Sequence, residues 1–154
     1  MRSEDLGMMN KEGLIEPKII EAVRGLLTGR VNEILREAEF VIPIIEFGDY
    51  EGGYAMSPVI SLCSCERSDK ERIIQLDAYT LTITFSLPET PEGELYCYAY
   101  SGAVSRALYD NPTLGGVADR AVITGKKYGS PKKPYCGEGW ELVVTLRLTV
   151  ENEE

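Results

Sequence analysis

The sequence predicts an α+β domain of two layers, in which a mainly antiparallel four-stranded sheet carries helices on one face. Strands are indicated where apolar and polar residues alternate, because that is the period of a strand with one buried face. Helices are indicated where apolar residues recur every three or four positions. These patterns follow the order helix, strand, strand, helix, strand, strand, which is typical of two packed layers.

The first helix is predicted to begin near Pro17, because a helix can take a proline in its first turn without losing a hydrogen bond. One side of this helix is apolar, and it consists of Ile20, Val23, Leu27, Val31, Ile34 and Ala38. Gly25 and Gly29 interrupt the pattern, so the helix either divides into two or bends. Residues 1–15 show no period, and we expect them to form a loose extension.

A hairpin is predicted next, from a strand over Val59–Glu66 and a longer strand over Glu71–Leu87. In the longer strand the apolar positions are Leu81, Ile83, Phe85 and Leu87, and the positions between them are Thr80, Thr82, Thr84 and Ser86. One face of this strand is therefore buried and the other is lined by hydroxyl groups. The earlier run Phe40–Ile45 could form a strand, but it is restricted to a sheet edge or an irregular extension, because Pro43 has no N–H to donate.

A second helix is predicted from Pro91 to Asn111, with Thr90 as its cap. Its apolar side is formed by Tyr96, Tyr100, Ala103 and Ala107, and the opposite side by Glu94, Tyr98, Ser101 and Ser105. Ala118–Lys127 and Trp140–Val150 then predict the third and fourth strands. We expect residues 128–139 between them to form an extended arm, because they are rich in glycine, proline and lysine.

The length and charge of the chain limit the classes of function. With 154 residues, 44% of them hydrophobic, we expect one soluble domain over residues 1–154. No apolar run is long enough to cross a membrane and no secretion signal precedes the helix, so we expect a cytoplasmic location. The net charge of −9 argues against general binding of nucleic acid. Four clustered lysines favour a solvated loop over a phosphate contact, namely Lys126, Lys127, Lys132 and Lys133.

The chain has no histidine, which excludes Ser-His-Asp and Cys-His catalysis and histidine-bound metals. Cys63 and Cys65 lie two positions apart in a predicted strand, so both side chains should leave the same face. They would bind zinc only if Cys97 and Cys136 converge on them, and ordinary reduced cysteines are favoured. We therefore expect no cofactor, no metal and no catalytic residue.

Gly115 and Gly116 raise the possibility of a phosphate-binding loop, but they follow a helix and precede a strand. Phosphate loops have the reverse order, because the N–H groups of the helix that follows bind the phosphate. The pair therefore favours a left-handed hinge that reverses the chain. Adjacent Asp119 and Arg120 should point to opposite faces of the third strand, which excludes them as one catalytic pair.

Gln75 and Asp77 occupy positions of the long strand that should be apolar. This predicts that the strand extends beyond its own core, either into solvent or against another subunit.

The order of elements resembles that of the tail terminator, or tail completion, proteins of long-tailed bacteriophages and prophages. The resemblance covers roughly residues 17 to 150. Its residues are Pro58 to Leu62, Arg72 to Ile83, and a Tyr- and Ala-rich helix that leads into Leu108-Tyr109-Asp110-Asn111-Pro112-Thr113-Leu114-Gly115-Gly116. It is a pattern of elements and residues and contains no fixed catalytic motif.

The resemblance implies a structural protein that forms a ring, usually of six subunits, in a virion tail assembled in the bacterial cytoplasm. Such a ring caps the finished tail tube, ends polymerisation and provides a surface for the head connector. Its expected partners are copies of itself, the tube protein and a neck protein, with DNA only passing through the lumen. By position, the interface candidates are Gln75, Asp77, Thr80, Thr82, Thr84, Asp119, Arg120, Lys126, Lys127, Lys132 and Lys133.

Two alternatives remain open from the sequence. The chain could be another neck or head-completion adapter. It could also be a small ligand-binding or enzymatic α+β domain with a site around Tyr79, Tyr96 and Tyr100, although tyrosines occur more often in cores and interfaces.

Overall fold

The computed structural model describes residues 13–48, 55–68, 74–88, 90–131 and 139–153. The helical elements are α1 (Ile15–Leu26), a π-helical turn (Leu27–Val31), α2 (Asn32–Arg36) and α3 (Pro91–Asp110). The strands are β1 (Val59–Ser68), β2 (Ile74–Leu87), β3 (Arg120–Gly129) and β4 (Trp140–Glu153). The predicted order of helices and strands is confirmed, and each element lies within a few residues of its predicted bounds.

The four strands form one antiparallel sheet in the order β1-β2-β4-β3, with the helices packed against it, so the predicted α+β class is confirmed. The central pair, β2 and β4, is matched without interruption over fourteen residues, from Ile74 opposite Glu153 to Leu87 opposite Trp140. The two shorter strands flank this pair and form the edges of the sheet. Each edge strand is ten residues long.

Both edge strands contain a β-bulge. In β1 the register shifts between Leu62 and Ser64, and in β3 it shifts between Ile123 and Gly125. One row of paired residues crosses the sheet from Leu62 through Leu81 and Leu146 to Ile123. The two edges are therefore both bent next to the same row, and each bulge adds twist to its strand.

The core lies between the sheet and the helices. From the central strands it takes alternate residues, as the sequence predicts, namely Tyr79, Leu81, Ile83, Phe85, Leu87, Leu142, Val144, Leu146, Leu148 and Val150. Helix α3 crosses over β2, β4 and β3, while α1 lies over β1. The rings of Phe85 and Tyr100 stack with their centroids 4.9 Å apart, which joins the sheet to α3.

The first helical segment begins at Ile15 and continues without a break through the π-helical turn. The helix therefore does not divide in two at its glycines. It widens locally at Thr28 and Gly29, within the π-helical turn. Buried Asn32 follows this turn, and its amide donates to the carbonyls of Thr28 and Ile45. Its side-chain oxygen also accepts the N–H of Ile45 at 2.8 Å. One side chain therefore ties the helix to the extended segment after it.

That extended segment was predicted as either a sheet edge or an irregular extension, and the structure shows the irregular extension. Residues 41–47 form only an isolated bridge between Ile45 and Met56, and the sheet has no strand there among the described residues. Tyr96 donates to the carbonyl of Val41, and Tyr100 donates to the carbonyl of Pro43. The segment is thus held by side chains of the helical layer, which pair its backbone in place of a neighbouring strand.

Gly93 and Gly139 lie where the end of β2 approaches the start of α3 and the start of β4. A Cβ on Gly93 would be 1.9 Å from the carbonyl oxygen of Pro88, and one on Gly139 would be 1.8 Å from that of Leu87. Both contacts are with backbone atoms, which cannot turn aside as a side chain can. By contrast, a Cβ on Gly102 in the middle of α3 meets nothing within 4 Å.

We predict opposite effects of alanine at two of these glycines. Gly93→Ala should lower the free energy of unfolding by about 3 kcal/mol, because the backbone must move to accept the methyl group. Gly102→Ala should raise it by about 1 kcal/mol, because glycine is unfavourable inside a helix. Urea denaturation of the two variants measures both effects. Equal effects would contradict the close approach at Gly93.

Stability should also fall in alkaline solution, because burial raises the pKa of Tyr79 and of Tyr100 in the folded chain. A raised pKa favours the protonated phenol in the native state. The corresponding stability is therefore complete below the unfolded value of about 10 and is lost as the pH rises above it.

The matched variants for this prediction are Tyr100→Phe and Tyr109→Phe, since Tyr109 is exposed. Tyr100→Phe should be less stable than the wild type by about 1 kcal/mol at pH 8, because it lacks the hydrogen bond to Pro43. The difference should shrink as the pH rises above about 10, because this phenol then ionises in the unfolded wild type while it stays protonated in the native state, and the variant has no such phenol. Tyr109→Phe should follow the wild type throughout. A constant difference for Tyr100→Phe would contradict the assignment.

Candidate interaction surfaces

The outer face of the sheet, opposite the helices, is lined by hydroxyl groups. Thr80, Thr82 and Thr84 lie on it half-buried, as the alternation predicts. The neighbouring strands contribute Ser61, Ser64, Thr145 and Thr149 at paired positions. A hydroxyl-rich, half-buried surface of this kind hydrogen-bonds water or a partner and provides little apolar area for a lasting contact.

Charged residues occupy the two ends of one row on this face. Glu66 on β1 is paired with Ala78, Ala78 with Thr149, and Thr149 with Arg120 on β3. Glu66 and Arg120 therefore lie at the same level of the sheet, at opposite edges, and both are exposed. Arg147 of β4 contacts the carboxylate of Glu66 across β2, at 3.3 Å.

Asp77 was predicted to lie in a polar extension of β2 beyond the core, and this prediction is wrong. Its side chain is only 1% exposed, and its two carboxylate oxygens accept hydrogen bonds from Arg67 at 2.9 and 3.2 Å. Strand β2 is still covered at Asp77, because the residue paired with it in β1 is Arg67, which contributes its guanidinium there. Gln75 lies two residues earlier, with its backbone opposite Asn152, and its side chain lies outside the described residues.

Lys126 and Lys127 are neighbours in β3, but their side chains lie on opposite sides of the sheet. Lys126 donates to the backbone carbonyl of Ser101 in α3 at 3.2 Å, so its ammonium is used within the chain. Lys127 lies opposite Val143 on the outer face and is exposed. Lys132 and Lys133 lie outside the described residues.

The contact of Lys126 is part of a polar cluster between α3 and β3 that the sequence did not predict. Ser101 was expected on the polar side of the helix, yet it is buried, with its hydroxyl 2.7 Å from that of Tyr128. The ring of Tyr128 lies against Tyr98, whose hydroxyl donates to Glu94. The bulge in β3 explains this cluster, because it turns Lys126 and Tyr128 toward the helix.

Asp119 and Arg120 lie at the start of β3, and both are exposed. Asp119 precedes the strand, and its N–H donates to the carbonyl of Thr149 at 2.8 Å. Arg120 is the first residue of the strand and shares the outer face with Thr149. The carboxylate and the guanidinium are thus both available at this corner of the sheet.

The glycine pair lies in the connection between α3 and β3. Gly115 and Gly116 have φ values of 71° and 93°, so the left-handed turn that they predict is present, although the helix itself is capped earlier, at Asn111. Leu114 is left-handed as well, with a φ of 52°, and its side chain is buried. The backbone N–H of Gly116 donates to Thr113 within the same turn. This connection reverses the chain direction and is closed by its own hydrogen bonds.

Cys63 and Cys65 do not leave the same face of β1, so that prediction is wrong. The bulge falls at Cys63, whose sulfur lies 3.7 Å from the hydroxyl of Thr82 on the outer face, while Cys65 is paired with Tyr79 on the helix side. Cys97 is buried in α3, and burial raises its pKa to about 11. Among the described residues, no cluster of cysteine and carboxylate side chains is arranged to hold a metal ion. Cys136 lies outside the described residues.

The tyrosines of the alternative site have separate hydrogen-bond partners. Tyr79 donates to the carboxylate of Glu16 at 3.1 Å, whereas Tyr96 and Tyr100 bind backbone carbonyls of the extended segment. The rings of Tyr96 and Tyr100 make an edge contact with centroids 6.5 Å apart. Each phenol thus joins two elements of the fold, which is a sufficient structural role for it.

An exposed apolar band, which the sequence did not predict, runs along α3 beside β3, an edge strand of the described sheet. Seven large hydrophobic residues are exposed in the described part of the chain, and four of them form this band: Leu95, Tyr98, Tyr109 and Tyr128. At its C-terminal end a groove of about 430 Å³ separates α3 from β3. It is lined by Ser105, Leu108, Tyr109, Pro112, Arg120, Ala121, Val122 and Ile123. The signal was the spacing of residues 95, 98, 102 and 109, which places them on one side of a helix.

No protein-family model matches the chain, and the search of curated proteins found no match. None of the helices in the described ranges is long and apolar enough to cross a membrane. The function must therefore be inferred from the surfaces of the chain itself.

The two ion pairs that involve β1 give a direct prediction for stability. Arg67→Ala should lower the free energy of unfolding by about 1–3 kcal/mol, because the buried carboxylate of Asp77 loses two charge-assisted hydrogen bonds. Arg147→Ala removes the exposed pair with Glu66 and should change it by less than about 1 kcal/mol. Chemical denaturation of both variants makes the comparison, and a smaller loss for Arg67→Ala than for Arg147→Ala would contradict it.

Proposed function

We propose that this chain is a structural subunit of a phage or prophage tail. It forms a ring that caps the completed tail tube, ends tail polymerisation and provides the surface for joining the head. Its partners are copies of itself, the tube protein and a neck protein, it needs no cofactor, and it catalyses no reaction. The proposal is supported by the resemblance of the sequence to tail terminator proteins together with the shape of the sheet.

The observation that carries the proposal is the pair of sheet edges that no other described strand covers, which are equal in length and carry opposite charges in one row. Edge strands present unpaired N–H and C=O groups, which form hydrogen bonds with another strand if one approaches. In the described sheet these edges belong to different strands, so the contact that joins them between two copies is heterologous. A heterologous contact repeats from copy to copy and closes into a ring when the rotation allows it.

In such a ring, β1 of one copy lies antiparallel to β3 of the next, because β1 and β3 run in opposite directions within the sheet. When the rows continue across the junction without a shift, Glu66 of one copy lies opposite Arg120 of the next. The bulges then lie at neighbouring levels on the two joined edges. They favour this partner over other strands, because a bent edge fits poorly against a straight one.

The outer face of the sheet suits a surface past which DNA moves. Its hydroxyl groups carry no charge, and its exposed cations Arg120, Lys127 and Arg147 share the face with the carboxylates of Glu66, Glu141 and Glu151. The chain as a whole has a net charge of −9. None of these properties favours a lasting contact with phosphate.

The proposal predicts assembly in solution. Size exclusion coupled to light scattering should detect, at raised concentration, a species of about 103 kDa, which is six chains of 17.1 kDa. Glu66→Arg and Arg120→Glu should each weaken assembly by about tenfold or more, because each places like charges opposite one another. The double variant should restore it, because it reverses the pair.

Matched controls carry the same charge changes away from the sheet edges, namely Glu37→Arg and Arg36→Glu on exposed positions at the end of α2. Both should assemble as the wild type does. A wild type that stays monomeric at every concentration would contradict the ring. Single edge variants that assemble normally would show that the subunits meet elsewhere.

A further inference from the structure

We infer that the exposed band of α3 and its groove form the binding site for helix α1 of the neighbouring copy, and that Tyr109 is the main contact residue. This inference rests on the proposed ring, and it assigns to the ring a second contact, in the helical layer. The band consists of Leu95, Tyr98, Tyr109 and Tyr128, with Gly102 at its centre.

The band is unlike the rest of the described surface. Tyr109 is 86% exposed, although an aromatic ring of that size contributes most when it is buried. Four of the seven exposed large hydrophobic residues in the described ranges lie here, and exposed apolar residues gathered on one side of a fold are typical of interaction sites.

Gly102 supports the same conclusion. It lies in the middle of α3, where glycine is unfavourable, and an added Cβ would meet no atom of the chain within 4 Å. The packing of the chain itself therefore gives no reason for a glycine at this position. A partner that approaches the helix closely does give one, because a missing side chain leaves a notch between Tyr98 and Tyr109.

The register of the sheet identifies which part of the neighbour reaches the groove. The floor of the groove contains Ala121 and Ile123. Across the sheet, Ala121 shares a row with Cys65, through Leu148 and Tyr79, and Ile123 shares a row with Leu62. When β1 of the next copy joins β3, its Cys65 and Leu62 extend that floor.

Helix α1 of the next copy then lies across the groove from Tyr109. Within one chain α1 lies over β1, and its Glu16 accepts the hydroxyl of Tyr79, which belongs to the same row as Ala121. The charges on the two sides are partly complementary. Arg120 lines the groove and Arg106 is exposed on the same helix, and the neighbouring copy contributes Glu66 from β1. Its α1 contributes Glu16 and also exposed Lys18, whereas Glu21 and Arg24 pair with each other.

The test compares two almost fully exposed apolar residues in the full chain. Tyr109→Ala removes the ring at the C-terminal end of the band, whereas Val41→Ala removes a side chain that is 89% exposed and lies away from the band. Sedimentation velocity over a concentration series measures the apparent dissociation constant of each variant. Tyr109→Ala should raise it by about tenfold or more, as aromatic contact residues do, and Val41→Ala should leave it within about twofold of the wild type.

Gly102→Gln is the second variant, because it fills the notch and introduces a residue that forms helices well. It should weaken assembly as Tyr109→Ala does. A second measurement follows the phenol itself: tetranitromethane should nitrate Tyr109 in a dilute sample and leave it unmodified in the assembled one, as mapped by mass spectrometry.

The possible results separate the two proposals. If the wild type assembles and the charge-reversal variants at Glu66 and Arg120 behave as predicted, but Tyr109→Ala and Gly102→Gln assemble normally, the binding site on α3 is excluded and the ring remains. Equal nitration of Tyr109 in both samples excludes the binding site as well. If the wild type does not associate at all, the ring and the binding site are both excluded.

Discussion

The uninterrupted pairing of β2 with β4 is the constraint on which the rest of the structure depends. Fourteen matched positions place the apolar residues of both strands on one face, in rows that continue to the edge strands. Burial of these side chains supplies most of the favourable free energy of such a domain, at about 25 cal/mol per Å² of apolar surface. The helices cover that face, and the opposite face is left with hydroxyl groups.

This central pairing also determines which residues the edges present. A row across the sheet connects positions far apart in sequence, so that Glu66 and Arg120 come to the same level at opposite edges. In the proposed ring, assembly would depend on such relations between surfaces, because each copy would join its two neighbours through different edges and not through a single motif. The helical layer is part of the same surface, since α3 places its exposed aromatic rings beside β3.

The sequence predicts the regular parts of the fold because they follow simple periods. The alternation in β2 and β4 identifies their buried faces, and the left-handed turn at Gly115 and Gly116 follows from the conformational freedom of glycine. Asp77 departs from expectation because its partner, Arg67, comes from another strand, and pairing between strands has no local signature. The burial of Ser101 and the contact of Lys126 depend in the same way on a neighbouring element. The surface candidates are harder still to predict, because exposure is known only once the core is formed.

The bulges explain why strict alternation fails in the edge strands, and they also determine where a change of chain length is tolerated. Before its bulge, β1 points Ile60 and Leu62 toward the helices, and after it Cys65, so the inward positions change from even to odd. Cys63 is the supernumerary residue. A deletion there preserves the facing of every other residue in β1, whereas a deletion at any regular position inverts one half of the strand. The same holds for Thr124 in β3. Each edge strand therefore has one position at which a deletion leaves the facing of its other residues unchanged, and both positions adjoin the same row of the sheet.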